Sequence, residues 1–180
     1  MNLSTQIFDP TLYTYDDYKL WQGDWELIQG HPQAMSPSPL IEHHDFSGEF
    51  FAQVNLLLKA CNKVCNCKVF FEMDWIISDD TVVRPDGMLV CGEMEKKGHV
   101  TIPPILILEV ASNSTRLRDR NTKFKLYEMC GVKYYIVADP QKKSVEVFEL
   151  TDNKYKQTDT TTFILTRDCS IILDVFNLWL

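Results

Sequence analysis

Apolar residues concentrate in two dense runs, 105–108 and 132–138, which a polar and basic segment separates. Each run is short and shows little alternation, as expected for strands covered on both faces. Between them, apolar positions at helical spacing from Leu117 to Met129 or Cys130 predict a helix, and Gly131 is a typical residue to end it. A strand, a helix and a strand in this order favour a crossover unit whose two strands are parallel.

Upstream of this unit, the pattern predicts a short helix, two short strands and one long helix. Thr14 is followed three residues later by an acid, close to a capping box. Apolar residues then recur at helical spacing before the first cysteine. The expected bounds are Thr14–Leu20 for the first helix, 25–30 and 33–35 for strands joined through the turn 30–32, and residue 40 or 41 to about 61 for the long helix.

The remaining apolar stretches predict strands. We expect them at 68–77, 81–91, 104–111, 144–150, 155–157, 163–165 and 169–173. The turn at 78–80 makes the first two an antiparallel hairpin. Arg84-Pro85-Asp86-Gly87 interrupts the second, because proline donates no ladder hydrogen bond and glycine weakens a strand. The interruption predicts a bulge or an edge that directs the Asp86 carboxylate toward a neighbouring strand.

The length and net charge of the chain indicate one globular domain and argue against some kinds of binding partner. The 180 residues, 45% of them apolar, suit one compact domain spanning 1–180, since single domains commonly have about 100–200 residues. A net charge of −7 argues against binding nucleic acid by bulk electrostatics. Only the segment 116–125 is locally basic, and the alternative for such a segment is a solvated helix face. No apolar run approaches the roughly 20 residues of a membrane-spanning helix.

The chain has six cysteines, whose oxidation state depends on the compartment. Residues 1–10 lack a basic region followed by an apolar block, so we expect no secretory signal, a cytoplasmic protein and free thiols. Cys61, Cys65 and Cys67 are clustered, but they lack a paired Cys-x-x-Cys and a second half-site. Zinc is therefore disfavoured.

Candidate chemistry lies at two strand ends and on the crossover helix. Glu109 is a carboxylate at the end of an apolar strand, where it needs a charged partner. With Asp86 it would suit a hard divalent cation, Mg²⁺ or Mn²⁺. Lys123 would then orient a water and neutralise charge on a phosphate, as in phosphodiester hydrolysis. The alternative is a structural ion-pair cluster, which uses the same residue types.

Several motifs together resemble those of the Uma2 family of restriction-endonuclease-like proteins, a branch of the PD-(D/E)xK nuclease superfamily. The resemblance extends from about Glu26 to Leu150. The matching residues are Leu27–Gly30, Met35–Pro37, His43, Pro85-Asp86, Leu108–Thr115, Arg118–Arg120, Lys123, Tyr127, Gly131-Val132 and Asp139-Pro140. Departures are Asn113, Tyr134 and Ile136, where the family often has proline, glutamate and tryptophan.

This resemblance implies an α/β fold: a restriction-endonuclease-like core with a mixed central sheet flanked by helices, after an N-terminal helix and hairpin. It also implies that Asp86, Glu109 and the Val110 backbone carbonyl bind the metal. The superfamily lysine two residues after the second acid is absent here, since Ala111 occupies that position. Lys123 matches the family's alternative lysine.

The remaining implications concern the substrate. DNA is the expected substrate, with Arg116, Arg118 and Arg120 as the DNA-binding residues, and His43 and Glu42 are expected accessory residues at the start of the long helix. The alternative function is a module that keeps the fold, has lost turnover and binds nucleic acid or a protein partner. Enzymes that cut both DNA strands often pair, so a homodimer is also an expectation.

Overall fold

The computed structural model describes residues 11–35, 41–61, 66–95, 98–111 and 119–179, apart from the side chains of 119 and 120. Within these ranges the chain forms a six-stranded, a four-stranded and a two-stranded sheet, with helices packed on the largest. This mixed α/β architecture is the one expected from the sequence.

The helices are α1 (Tyr15–Tyr18), α2 (Ile41–Cys61) and α3 (Phe124–Met129), with a π-helical turn (Asp119–Lys123) directly before α3 and a 3-10 turn (Val175–Asn177) near the C-terminus. The strands are β1 (Trp25–Ile28), β2 (His31–Ala34), β3 (Cys67–Phe71), β4 (Trp75–Ser78), β5 (Thr81–Val83), β6 (Gly87–Cys91), β7 (Leu106–Val110), β8 (Tyr134–Asp139), β9 (Ser144–Thr151), β10 (Lys154–Thr158), β11 (Thr162–Thr166) and β12 (Cys169–Ile172).

The six-stranded sheet has the order β10-β9-β8-β7-β6-β3. Strands β7 and β8 are parallel, as the crossover pattern predicts, and the other neighbours are antiparallel. Every residue of β7 and β8 is buried, which explains why both strands read as nearly continuous apolar runs, each with one acid near its end. The central parallel pair is therefore covered on both faces.

Two hydrophobic clusters cover the two faces of this sheet. On one face, α2 contributes the buried Phe46, Phe50, Val54 and Leu58, spaced four residues apart as a single helical stripe. On the other face, Tyr127 and Trp75 pack with Ile107 of β7. Since side chains alternate along a strand, the side chain of Glu109 points to the same face as that of Ile107.

The predicted hairpin from 68 to 91 is divided between two sheets. Its inner halves, β4 and β5, pair in the four-stranded sheet β2-β1-β5-β4, and its outer halves, β3 and β6, pair in the six-stranded sheet. The second predicted strand breaks between Val83 and Gly87, at the predicted interruption. The expectation of one continuous strand over 68–77 is wrong, because the chain leaves the six-stranded sheet after Phe71 and enters the four-stranded sheet at Trp75.

The predicted turn at 30–32 is wrong by one to two residues. Gln29 and Gly30 form the loop, with φ of 51° and 77°, and Ile28 pairs with His31. Positive φ at both central residues is the geometry of a two-residue hairpin turn. Pro32 lies inside β2, where it is tolerated because β2 is an edge strand.

Two cysteines form a disulfide, so the expectation of free thiols is wrong for them. Cys67 and Cys91 are directly opposite in the β3–β6 pair and are bonded to each other. Their separation of 24 residues gives no sequence signal of this pairing. Cys61, Cys130 and Cys169 are not in a disulfide, and Cys65 lies outside the described residues.

The crossover helix begins differently from the prediction. Its first residues, Leu117 and Arg118, lie outside the described residues, and the described part opens with the π-helical turn. The end is as predicted: α3 stops at Met129, and Gly131 adopts a φ of 76°. Among the described residues, no helix has the length and apolar character to cross a membrane.

Two adjacent phenylalanines on α2 test which face of the helix packs on the sheet. Phe50 is 1% exposed and Phe51 is partly exposed. We expect Phe50→Ala to lower the free energy of unfolding by about 3–5 kcal/mol, because a cavity opens against the sheet. Phe51→Ala should cost less than about 1.5 kcal/mol. Urea denaturation measures both, and equal losses would contradict this packing.

Candidate active site

Glu109, near the end of β7, accepts one hydrogen bond from an ammonium and one from a phenol. Its side chain is buried, and its Oε1 atom lies 2.9 Å from Lys123 Nζ and 2.7 Å from Tyr127 Oη. Lys123 ends the π-helical turn and Tyr127 lies four residues later, so both side chains extend from one face of the helical segment. The crossover connection that follows β7 therefore places a cation and a phenol against the end of that same strand.

A second carboxylate, from Glu26, meets the same lysine. Glu26 Oε1 lies 2.8 Å from Lys123 Nζ and accepts a hydrogen bond of 2.9 Å from the backbone N–H of Arg84. The side chains of Glu26 and Lys123 are only 1% and 5% exposed. A charge this deeply buried is tolerated only with close partners, and the two acids supply them for the lysine.

Asp86 stands beside Glu109 at the start of β6. Gly87 pairs with Leu108 as the last pair of the antiparallel β6–β7 ladder, so Asp86 and Glu109 each lie one residue beyond that pair, at the same end of the ladder. The Oδ2 atom of Asp86 accepts a 2.6 Å hydrogen bond from the backbone N–H of Val110. This bond fixes one carboxylate against the strand end that carries the other.

His43 reaches the site from α2. Its Nε2 atom lies 3.2 Å from Asp86 Oδ1, and the residue is buried. Glu42, the neighbouring accessory candidate, is exposed at the helix start, so its role stays a prediction. The first turn of α2 thus contributes an imidazole to Asp86.

The structure does not describe the side chains of the three arginines that were predicted to bind DNA. Arg116 and Arg118 lie outside the described residues, as does the side chain of Arg120. Of the two lysines in the same basic segment, Lys125 is exposed and Lys123 is buried. The basic segment therefore has a solvated side, which carries Lys125, and a buried side, from which Lys123 reaches the candidate site.

Tyr127 acts in this cluster as a neutral hydrogen-bond donor. Complete burial raises its pKa well above the usual range, and the negative charges of Glu109 and Glu26 raise it further. The phenol is consequently protonated at neutral pH. It holds Glu109 Oε1 in place without adding charge.

The donor atoms at the two strand ends fit a hard divalent cation. Asp86 and Glu109 offer carboxylate oxygens at the same end of the β6–β7 ladder, and Mg²⁺ is commonly bound by one or two carboxylates plus waters. In the described part of the chain, no three His, Cys, Asp or Glu side chains are grouped as a metal site. The set is thus suited to a partly hydrated ion and not to a closed cage of protein ligands.

Sequence reasoning missed Glu26, although a usable signal was present. Glu26 interrupts the apolar strand Trp25–Ile28, just as Glu109 interrupts the apolar run of β7. An acid within a buried strand needs a cationic partner. Tyr127 is one of the residues that carry the family resemblance, but its hydrogen bond to Glu109 gave no signal of its own, because the residue also fits the apolar face of the helix.

Comparison with solved structures identifies the class of fold. A crystal structure described as a putative nuclease belonging to DUF820 from Anabaena variabilis ATCC 29413 superposes with a TM-score of 0.71, covering 93% of this chain and 99% of that chain at 16% identity. At this identity the likeness shows the fold alone, which is a mixed α/β domain. The expected fold class is confirmed.

The family follows from the sequence itself. The Uma2 family, described as "Putative restriction endonuclease", matches residues 15–179. The chain belongs to this family, as its motifs indicated. It matches none of the curated proteins with which it was compared.

The buried lysine offers a stability test with a matched control two residues away. Lys123→Met leaves two buried carboxylates without their shared cation, so we expect the free energy of unfolding to fall by about 3–5 kcal/mol at neutral pH. Lys125→Met removes an exposed charge and should change it by less than about 0.5 kcal/mol. Chemical denaturation measures both free energies of unfolding, and an unchanged value for Lys123→Met would contradict the ion-pair geometry.

Proposed function

We propose that this chain is a metal-dependent endodeoxyribonuclease that hydrolyses DNA phosphodiester bonds. The observation that carries the proposal is the placement of the Lys123 amine 2.9 Å from Glu109, next to the strand end that also presents Asp86. Two carboxylates at one strand end can hold a hard divalent ion, and an amine beside them can offset charge on a phosphate during hydrolysis. Membership of the Uma2 family supports the same activity.

In this proposal Asp86 and Glu109 hold Mg²⁺ or Mn²⁺, with the Val110 backbone carbonyl as a further ligand. When bound, such an ion polarises a phosphate oxygen and acidifies a bound water. Asp86 is kept in place by the Val110 N–H and by His43, and Glu109 by Tyr127. The protein therefore fixes both carboxylates with groups that are not themselves negatively charged.

Lys123 is the proposed catalytic cation. Its ammonium orients the attacking water and offsets negative charge as the phosphate becomes pentacovalent. Glu26 is a positioning residue in this scheme, since its Oε1 atom holds the amine at 2.8 Å. In this scheme Lys123, from the helical segment, takes the role of the lysine that the superfamily pattern has at position 111, which is a buried alanine in this chain.

A second candidate is a nuclease-fold module that binds nucleic acid or a protein partner without cutting. The contact of Lys123 with two carboxylates favours it, because an amine held by both acids is less available to a water or phosphate. The net charge of −7 also suits a protein partner. A homodimer that presents one site to each DNA strand is compatible with either function.

A plasmid-nicking assay in Mg²⁺ separates the two candidates. We expect Asp86→Asn and Glu109→Gln each to lower the cleavage rate about 100-fold or more, because each removes a charged metal ligand. Asp168→Asn makes the same chemical change at an exposed turn between β11 and β12 and should leave the rate unchanged. Wild-type activity in Glu109→Gln would remove this site from the chemistry.

Thermal melting provides a readout that does not depend on turnover. We expect millimolar Mg²⁺ to raise the Tm of the wild type, because a ligand that binds only the native state stabilises it. The rise should be absent in Asp86→Asn and preserved in Asp168→Asn. An equal rise in both variants would place the ion elsewhere.

A further inference from the structure

Residues 84–86 connect the four-stranded sheet to the six-stranded sheet and belong to neither. Strand β5 ends at Val83 and β6 begins at Gly87, so the ladders of the two sheets fix this stretch of chain only at its two ends. We call residues 84–86 the crossing segment. It carries the Asp86 carboxylate and the Arg84 N–H that donates to Glu26, so its position sets two contacts of the candidate active site.

The Arg84 side chain is held on the far face of the four-stranded sheet. The register of β5 with β1 and with β4 places Arg84 and Asp74 on one face of this sheet and Glu26 on the other. On the far face, the Arg84 guanidinium donates from Nε to Asp74 Oδ1 at 2.7 Å and from Nη1 to Asp24 Oδ1 at 2.9 Å. Arg84 therefore contacts the candidate site with its backbone and the opposite face with its side chain.

Asp74 is the stronger of the two partners of this guanidinium. The side chains of Arg84 and Asp74 are 24% and 21% exposed, whereas that of Asp24 is 74% exposed. A charge-assisted hydrogen bond is strong when it is partly shielded from water, but an exposed ion pair contributes little. Tyr18 Oη also donates to Asp74 Oδ2, at 3.1 Å, and burial and the Asp74 charge raise the pKa of Tyr18, so the phenol stays protonated. Asp74 is thus a fixed anchor for Arg84.

The crossing segment is stiff enough to carry this anchoring to Asp86. The ring of Pro85 fixes its own φ angle and restricts the preceding residue, Arg84, to extended conformations. Pro85 is also buried. Because few dihedral angles between Arg84 and Asp86 are free to change, a displacement of the Arg84 backbone displaces Asp86 as well.

We propose that Arg84 is a positioning residue of the candidate active site, which acts through the crossing segment to hold the Asp86 carboxylate on the Val110 N–H. As far as it concerns a metal ion, this inference rests on the proposed function. The same anchoring fixes the Arg84 N–H against Glu26, which in turn contacts Lys123. An ion pair on the far face of the sheet therefore positions one proposed metal ligand and the support of the proposed catalytic cation.

Amide hydrogen exchange at two neighbouring residues tests this inference without metal or DNA. The Val110 N–H donates to the Asp86 side chain, whereas the Ala111 N–H donates to the backbone carbonyl of Ala138 at 2.7 Å. A general loss of stability speeds exchange at both amides, but a displaced Asp86 carboxylate speeds it at Val110 alone. The ratio of the Val110 rate to the Ala111 rate, measured by NMR on the full-length chain, therefore reports the position of Asp86.

We expect Arg84→Met to raise this exchange ratio about tenfold, because the guanidinium no longer anchors the crossing segment. Two matched substitutions compare its partners: Asp74→Asn should raise the ratio about threefold, and Asp24→Asn by less than about 1.5-fold. Asp74→Asn keeps the shape of the side chain and decides the test if Arg84→Met does not fold. An unchanged ratio in Asp74→Asn, or equal changes in the two Asp→Asn variants, would overturn the proposal.

Calorimetric titration with Mn²⁺ measures the consequence for metal binding. We expect Asp74→Asn and Arg84→Met to weaken Mn²⁺ binding about tenfold, as is typical for groups that orient a metal ligand, and Asp24→Asn to leave it unchanged. A raised exchange ratio with unchanged Mn²⁺ affinity would overturn the positioning role.

The two proposals fail separately in these experiments. If the wild type neither binds Mn²⁺ nor nicks DNA, the nuclease is rejected, while the exchange ratio still decides whether Arg84 holds Asp86. Nicking and Mn²⁺ binding by the wild type, together with an exchange ratio that the Arg84 and Asp74 variants leave unchanged, support the nuclease and reject the role of Arg84.

Discussion

The buried ammonium of Lys123, shared between Glu26 and Glu109, is the interaction on which the rest of this site depends. The two Nζ–Oε1 distances are 2.8 and 2.9 Å, and all three side chains are at most 5% exposed. None of the three charges would be tolerated at this depth alone. Their mutual contact ties together β1 of the small sheet, β7 of the large sheet and the helical segment after β7.

The fold delivers each group to this point by a different local device. The parallel β7–β8 pair requires a crossover, and the crossover's π-helical turn presents Lys123 and Tyr127 to the strand end. π-Helical turns are rare and are frequently found at functional sites. The sheet switch around Pro85 brings the Asp86 carboxylate to the end of β7, where it accepts a hydrogen bond from the Val110 N–H. Backbone irregularities therefore occur where the candidate chemistry lies, while the uniform parts of the sheet provide support.

Local sequence signals predicted much of this arrangement. The crossover, the interruption at 84–87 and the acid that ends β7 were all visible, because each depends on residues close together in the chain. The Glu26–Lys123 contact and the Cys67–Cys91 bond join residues that are far apart, and nothing local specifies them. The antiparallel pairing within 68–91 was predicted, because a local turn specifies it. The division of this hairpin between two sheets was not predicted, because it depends on tertiary packing. The roles assigned to Asp86, Glu109 and Lys123 remain proposals.

A double-mutant cycle on Glu26 and Lys123 measures the shared ammonium most directly. The free energy of unfolding is determined at neutral pH for wild type, Glu26→Gln, Lys123→Met and the double variant. Because the two groups are in contact and buried, the coupling energy should be at least about 1.5 kcal/mol. Effects that add to within about 0.5 kcal/mol would show that the two side chains do not interact, and would contradict the site geometry described above.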